Sequence, residues 1–176
     1  MNCARAVLCS LAVCAIVLQV CVCEATRAEA AYGTAAVGAT APEFSRRDLA
    51  GKELDLSSLR GNVVLLNFWA TWCSPCLSEV PRFAQWQQTF GAQGLRVVGI
   101  SMDDEEAPVR EAYAKFKLSY AVAMGDRRLA EAYGGIYGLP LTLLIDRDGT
   151  IRFRHSGASD LEQIEHEIRD LLMQQK

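Results

Sequence analysis

The chain has 176 residues, of which 51% are hydrophobic, so one domain of this size can bury a sizeable core without help from disulfides or metals. The formal net charge is only −3, and lysine and arginine do not cluster, which excludes nucleic acid as an expected partner. The acidic run at 103–106 is short, and its pattern is typical of a solvated loop or the start of a helix.

The first 30 residues have the pattern of a signal peptide. Arg5 supplies a positive charge, residues 6–22 are almost entirely apolar, and Ala-Glu-Ala at 28–30 fits the small-residue rule for signal peptidase. An uncleaved membrane anchor is the alternative, because about 17 apolar residues is the lower limit for spanning a bilayer. Both interpretations predict a protein that is exported or tethered to a membrane.

The seven cysteines are distributed unevenly along the chain. Five lie in the first 23 residues and leave with the signal peptide if cleavage follows Ala30, so that only Cys73 and Cys76 remain. A secreted domain that is cross-linked by several disulfides would have an even number of cysteines distributed along its whole sequence. A zinc site needs four ligands, and the two histidines that could join the two cysteines lie far from them in sequence, so no metal is predicted.

An Ala/Gly-rich segment at 31–40 is interpreted as a linker, and 41–176 as one α/β domain. The C-terminal helix is predicted to start near Ser159, whose hydroxyl would cap it, with Glu162 completing a capping box. The strand–helix–strand opening implies a parallel pair of strands, and the whole pattern predicts a mixed sheet flanked by helices. In chain order the predicted elements are a hairpin (44–49 and 53–56), a central strand covered on both faces (62–69), a helix (74–90), a second buried strand (95–102), two helices (107–116 and 129–133), a second hairpin (142–146 and 151–155) and the C-terminal helix.

The motif Trp-Cys-Ser-Pro-Cys at 72–76 lies where the first buried strand passes into a helix. A helix N-terminus offers unpaired N–H groups and a partial positive charge, both of which favour a thiolate. The spacing brings both sulfurs onto one side, with the first cysteine exposed and the second inside the first turn. Cys73 is therefore the candidate nucleophile, and Cys76 is the candidate resolving cysteine. Pro75 would stiffen the turn, and Trp72 would shield the site.

Residues 67–76, followed by Glu79 and Pro81, resemble the TlpA/ResA-like branch of the thioredoxin superfamily, whose domain is related to AhpC/TSA proteins. That branch has the pattern W-C-x-P-C-x-x-E-x-P. The resemblance covers nearly all of 41–176, and its motifs are specific in combination. It implies a thioredoxin-like three-layer sandwich and an exported thiol–disulfide oxidoreductase of the bacterial periplasm or cell envelope.

The resemblance also implies roles for residues outside the motif. It implies a cis peptide between Leu139 and Pro140, beside the cysteines, where the backbone of Leu139 would pair with a substrate polypeptide; an ordinary strand-starting proline is the alternative. Glu79 matches the family's acidic residue, which we expect to tune the thiols or relay their protons. A first-turn glutamate favoured by the helix dipole is the competing interpretation. Asn67 stands where thioredoxin has a buried aspartate, which favours the exported branch.

The two histidines are assigned no role. His166 lies between two glutamates on the predicted terminal helix, which is typical of a solvated surface position. His155 ends a predicted strand that is distant in sequence from the cysteine motif.

The favoured function is a reductase of protein disulfides, in which the cysteine pair is itself the redox group and no cofactor is needed. Apocytochrome c is the best-known client within the family, and 135–140 is similar to the cytochrome-maturation members, although Leu141 stands where they commonly have a glutamate. The family implies a membrane thiol carrier as electron donor. An oxidase that makes disulfides would use the same residues.

Two other functions stay open as alternatives. A peroxiredoxin-like peroxidase would place a threonine three residues before its cysteine, whereas Thr71 lies two residues before Cys73. A copper-binding chaperone of the related C-x-x-x-C type would have one more residue between its cysteines.

Overall fold

The computed structural model of the protein describes residues 35–174. The predicted signal peptide or anchor at 1–30 and the first part of the predicted linker lie outside the described residues. Among the helices within 35–174, none combines the length and the apolar character that crossing a membrane requires.

The described chain folds into seven strands and four α-helices. Short 3-10 turns follow the second strand and the first helix, at Leu56–Leu59 and Gly91–Gln93. The strands are β1 Ser45–Arg47, β2 Glu53–Asp55, β3 Val63–Trp69, β4 Leu95–Ser101, β5 Ala121–Met124, β6 Leu141–Ile145 and β7 Ile151–Ser156, and the helices are α1 Ser74–Phe90, α2 Glu106–Lys115, α3 Arg127–Ala132 and α4 Leu161–Met173.

The central sheet is mixed and has the order β5–β4–β3–β6–β7, while β1 and β2 form a separate antiparallel hairpin. The predicted parallel pairing of β3 with β4 is confirmed, and β6 runs antiparallel to β3. Every residue of β3 is buried, as expected for a central strand covered on both faces. The strand β5 was not predicted, because its four residues Ala-Val-Ala-Met carry little alternation and few β-formers.

Helices pack on both faces of this sheet, so the predicted thioredoxin-like α/β sandwich is confirmed. The helices α1, α2 and α4 cover one face, where side chains such as Phe83, Val109 and Ile168 form one buried cluster. The other face is covered by α3 and the N-terminal hairpin, through side chains such as Leu129 and Leu54. We call these the α1/α4 face and the α3 face.

The predicted cap of α4 was wrong. Asp160, and not Ser159, caps α4, because its carboxylate accepts hydrogen bonds from the N–H groups of Glu162 and Gln163 at 3.0 and 3.2 Å. The described end of the predicted linker is attached to the domain, because residues 38–41 form backbone hydrogen bonds with residues 149–151. The sequence of this segment, rich in alanine and glycine, carries no pattern that would reveal such pairing.

Candidate redox site

The two cysteines form a disulfide at the junction of β3 and α1, with their Cα atoms 5.3 Å apart. Cys73 is the N-cap residue of α1, and its Sγ accepts a hydrogen bond from the backbone N–H of Cys76 at 3.3 Å. Pro75 lies in the first turn, where a missing backbone N–H costs no intrahelical hydrogen bond. The local sequence thus places a sulfur atom where the helix supplies free N–H groups and partial positive charge.

The two sulfur-bearing side chains differ in exposure. Cys73 is 6% exposed and Cys76 is 1% exposed, so an approaching thiol or disulfide meets Cys73 first. Trp72, directly before the pair, is 69% exposed and presents its ring to solvent. The roles predicted for these residues stay predictions, but their positions agree with the order of attack inferred from the motif.

The peptide bond between Leu139 and Pro140 is cis, as the family resemblance implied. Leu139 is half-buried and packs against the cluster that contains both cysteines, while Pro140 is buried and its carbonyl accepts a hydrogen bond from Gly157 at 2.8 Å. Within 35–174, neither the N–H nor the C=O of Leu139 has a hydrogen-bond partner. An extended polypeptide could pair with these two groups.

Asp103, predicted to be part of a solvated acidic run, is instead buried next to the redox motif. Its carboxylate accepts hydrogen bonds from the N–H of Thr71 at 3.0 Å, from the Thr71 hydroxyl at 2.5 Å and from the Ser101 hydroxyl at 2.7 Å. Parallel β3 and β4 end at the same edge of the sheet, which is why a loop after β4 reaches the turn after β3. Asp103 therefore fixes the turn that leads into Cys73.

Glu79 lies one turn after Cys76 on α1 and is only 3% exposed. Its Oε1 accepts a hydrogen bond from the backbone N–H of Ser159 at 2.7 Å. Its Oε2 is also buried, and no described residue donates a hydrogen bond to it. Burial raises the pKa of Glu79 above its ordinary value, and the Ser159 N–H and the charge of His155 only partly oppose that effect.

His155, to which the sequence assigned no role, lies in register with two buried polar residues of the sheet. It lies opposite Thr142 in the β6–β7 pairing, and Thr142 lies opposite Asn67 in the β3–β6 pairing. Asn67 donates a hydrogen bond from Nδ2 to the Thr142 hydroxyl at 3.0 Å. His155 is close enough to Glu79 to lower its pKa, and its Nε2 lies 2.7 Å from Oε2 of Glu167 on α4.

The predicted hairpin contained the signal that would have placed His155. Its strands, 142–146 and 151–155, join through a tight turn, so residues 142 and 155 must lie opposite each other. His166 does lie on the surface, as predicted, with 77% of its side chain exposed.

The thioredoxin-like fold and a pair of cysteines that form a disulfide at a helix N-terminus define the class of thiol–disulfide oxidoreductases, and comparisons with known proteins agree. Residues 37–154 match the AhpC/TSA family. Thiol-disulfide oxidoreductase ResA of Geobacillus kaustophilus is 34% identical over 138 residues, which are 77% of this chain and 78% of that protein. ResA of Bacillus anthracis is 30% identical over 135 residues, with the same two coverages.

Solved structures show the same relationship. A thiol:disulfide interchange protein of the thioredoxin family from Chlorobium tepidum has a TM-score of 0.72 and 31% identity, covering 78% of this chain and 98% of that one. A thiol:disulfide interchange protein from a Bacteroides species has a TM-score of 0.66 and 27% identity, covering 76% and 91%. The chain belongs to the AhpC/TSA family and, within it, to the ResA-type thiol–disulfide oxidoreductases.

Proposed function

We propose that this oxidoreductase is exported to the bacterial periplasm or cell envelope and reduces disulfide bonds in other polypeptides there. The Cys73–Cys76 pair is the redox group, and the reaction needs no metal or further cofactor. The observation that carries the proposal is the position of Cys73, the more exposed of the two cysteines, at the N-terminus of a 17-residue helix. Such a position stabilises the thiolate that attacks a disulfide.

The reaction starts from the reduced form, with Cys73 as a thiolate and Cys76 as a thiol. Cys73 attacks one sulfur of the substrate disulfide, which forms a mixed disulfide and releases the first substrate thiolate. Cys76 then transfers its proton to the Glu79 carboxylate and attacks the Cys73 sulfur. This step releases the second substrate thiolate and forms the Cys73–Cys76 disulfide, so that two electrons have passed to the substrate.

Three features support the roles of the surrounding residues. The raised pKa of Glu79 lets its carboxyl hold a proton nearer to neutral pH than an exposed carboxyl does. The unpaired backbone groups of Leu139, held by the turn at Pro140, are suited to bind an extended substrate segment. The exposed ring of Trp72 offers such a segment an apolar contact.

The client and the electron donor follow from the family resemblance. Apocytochrome c, whose haem-attachment thiols must be reduced, is the client that we would test first. A membrane thiol carrier would return the Cys73–Cys76 disulfide to the dithiol. Export rests on the signal pattern at 1–30.

The direction of the reaction is tested by the redox equilibrium of the full chain in glutathione or dithiothreitol buffers, followed by tryptophan emission. A reductase should have a potential near or below about −270 mV, that of thioredoxin. A potential near about −120 mV, typical of strong disulfide-forming oxidants, would reverse the direction and contradict the proposal.

The order of attack is tested by trapping. Cys76→Ser should accumulate a covalent mixed disulfide with a disulfide-bonded peptide, and Cys73→Ser should accumulate none, as judged by mass spectrometry without reductant. Peroxide consumption that persists in Cys76→Ser would instead favour the peroxidase alternative. Equal trapping by both variants would contradict the assigned roles.

A further inference from the structure

The turn between β7 and α4 connects two parts of the redox site by hydrogen bonds. One part is the helix α1, which carries Cys76 and Glu79, and the other is the cis Leu139–Pro140 segment before β6. We call residues 157–159, which lie between these two parts, the bridging turn. Each part receives a hydrogen bond from one backbone N–H group of the bridging turn.

The first of these bonds extends the pairing of β6 with β7 by one residue. Leu141 lies opposite Ser156, and the N–H of Gly157 donates to the carbonyl of Pro140 at 2.8 Å in the same register. Leu139, directly before Pro140, has no hydrogen-bond partner for its N–H or C=O among residues 35–174. The bond from Gly157 therefore fixes the backbone next to the two groups that are suited to pair with a substrate polypeptide.

The second bond reaches α1. Gly157 has a positive φ of 81°, a conformation that is costly for residues with a side chain, and the backbone turns there toward the helix. Two residues later, the N–H of Ser159 donates to Oε1 of Glu79 at 2.7 Å. The Ser159 hydroxyl donates to the carbonyl of Gly157 at 3.3 Å, so the two ends of the bridging turn are also joined to each other.

The side chain of Glu79 suits this contact. It is buried, and a carboxylate forms shorter and stronger hydrogen bonds with an N–H group than a neutral acceptor does. Burying a carboxylate lowers stability unless hydrogen bonds compensate for the loss of water. Accepting a proton requires a group that ionises, whereas accepting the Ser159 hydrogen bond requires only an oxygen atom in the same place. Substitutions can therefore separate the two roles.

We propose that Glu79 is also a positioning residue for the substrate: through the bridging turn it holds the Leu139–Pro140 segment where a bound polypeptide presents its disulfide to Cys73. The inference rests on the proposed function and deepens it, because it assigns a preference for disulfides within polypeptides. A small disulfide has no backbone amide that could pair with Leu139, so its reaction does not depend on the position of that segment. No bond between heavy atoms is made or broken in this role.

The test isolates the first step of the reaction by using full-length Cys76→Ser as the parent chain. This chain can form the mixed disulfide but cannot resolve it, so no proton passes from Cys76 to Glu79. The rate of mixed-disulfide formation is measured by mass spectrometry with two substrates, a disulfide-linked dimer of an extended peptide and bis(hydroxyethyl) disulfide. The ratio of the first rate to the second is the readout, because a change in the reactivity of Cys73 affects both rates alike.

Two substitutions at Glu79 are compared in this parent chain. Glu79→Leu removes the acceptor and leaves the N–H of Ser159 without a partner, whereas Glu79→Gln keeps an oxygen at the same place. We expect the rate ratio to fall about tenfold in Glu79→Leu, which is the order of magnitude of one lost hydrogen bond. The ratio in Glu79→Gln should stay close to that of the parent, although the ionisable group is gone.

Two substitutions at Ser159 test the same contact from the donor side. Ser159→Pro removes the backbone N–H and should lower the ratio as Glu79→Leu does, whereas Ser159→Ala keeps the N–H and should keep most of the ratio. Combining Glu79→Leu with Ser159→Pro should lower the ratio no further, because both substitutions remove the same hydrogen bond. Circular dichroism confirms that the compared variants are folded.

The outcomes separate this inference from the proposed function. Unchanged ratios in Glu79→Leu and Ser159→Pro would show that the positioning role is wrong, while the reactivity of the parent chain would leave the reductase proposal standing. An equal fall in Glu79→Gln and Glu79→Leu would trace the effect to the charge of Glu79, and the inference would fail as well. A parent chain that reacts with neither substrate would contradict the proposed function, and the positioning role with it.

Discussion

The two faces of the central sheet are built from the same strands but have different contents. On the α3 face, β3 and β6 present only apolar side chains to the core, among them Leu66, Phe68 and Leu143. On the α1/α4 face, the same strands carry Asn67 and Thr142 among apolar neighbours. Successive residues of a strand point to opposite faces of the sheet. The seven residues of β3 therefore contribute apolar side chains to the core under the α3 face and the polar side chain of Asn67 to the α1/α4 face.

The two faces also differ in how many polar and charged side chains they bury. The six buried polar or charged side chains among the described residues all lie on the α1/α4 side or in the loop beyond β4 that reaches the redox motif. They are Asn67, Glu79, Ser101, Asp103, Thr142 and Glu167. Burying such groups lowers stability unless they are hydrogen-bonded, so their confinement to the side that carries the disulfide indicates a chemical purpose.

The largest effect on stability is expected on the α3 face. Leu143→Ala should lower the free energy of unfolding by about 2–5 kcal/mol, because it leaves a cavity in a fully buried site. The rate at which the folded protein exchanges disulfides with a model substrate should hardly change. Urea unfolding measures the first quantity, with exposed Met173→Ala as the apolar control. A loss below about 1 kcal/mol would show that this face is loosely packed.

The next largest effect is expected at Asp103. Asp103→Ala leaves the N–H and hydroxyl of Thr71 without their acceptor, and should cost about 2–3 kcal/mol. The rate of exchange with a model disulfide should also fall, because the turn before Cys73 loses its anchor. Asp104→Ala, at the exposed neighbour, is the control for both measurements. A stable variant with an unchanged rate would mean that the turn is held by its own backbone.

A smaller effect on the free energy of unfolding, and one that depends on pH, is expected at Glu165 on α4. Glu165 on α4 accepts hydrogen bonds from Arg169, Trp86 and Arg82, and these contacts lower its pKa to about 2. Because the folded-state pKa is depressed, the stabilisation is complete above the ordinary carboxyl pKa and is lost as the pH falls through about 2.

Glu165→Gln should therefore cost about 1–2 kcal/mol at pH 7 and almost nothing at pH 2. Thermal unfolding at the two pH values measures the difference, with Glu162→Gln on the exposed side of α4 as the control. A cost that is equal at both pH values would show that packing, and not charge, joins α4 to α1.

The smallest expected effect is at Glu79, where a substitution should raise the stability of the folded protein and not lower it. Burial raises the pKa of Glu79, so the folded state loses stability as the pH rises from the ordinary carboxyl pKa through the raised one. Glu79→Gln should then raise the Tm of the oxidised protein at neutral pH, and the gain should vanish below about pH 4. A lower Tm of Glu79→Gln at neutral pH would show that the surrounding groups stabilise the ionised carboxylate of Glu79.

Much of the local structure could be predicted from the sequence. The helix predicted at 74–90 has those bounds, and the buried strands β3 and β4 differ from their predictions by one residue at one end. These elements carry strong local signals, namely continuous apolar runs and a helix closed by glycines. The cap of α4 was missed because serine and aspartate are both good N-caps, and local sequence does not choose between neighbours.

The sequence alone determined the class of protein, because the Trp-Cys-Ser-Pro-Cys motif at a strand–helix junction is a short, contiguous signal whose chemistry depends on the helix N-terminus. Only the tertiary structure decided which distant residues surround the motif. Asp103 reaches it through the parallel pairing of β3 with β4, which depends on contacts between residues far apart in the chain. Such contacts leave no local pattern, because a buried carboxylate and a solvated one look alike in a sequence until the chain folds around them.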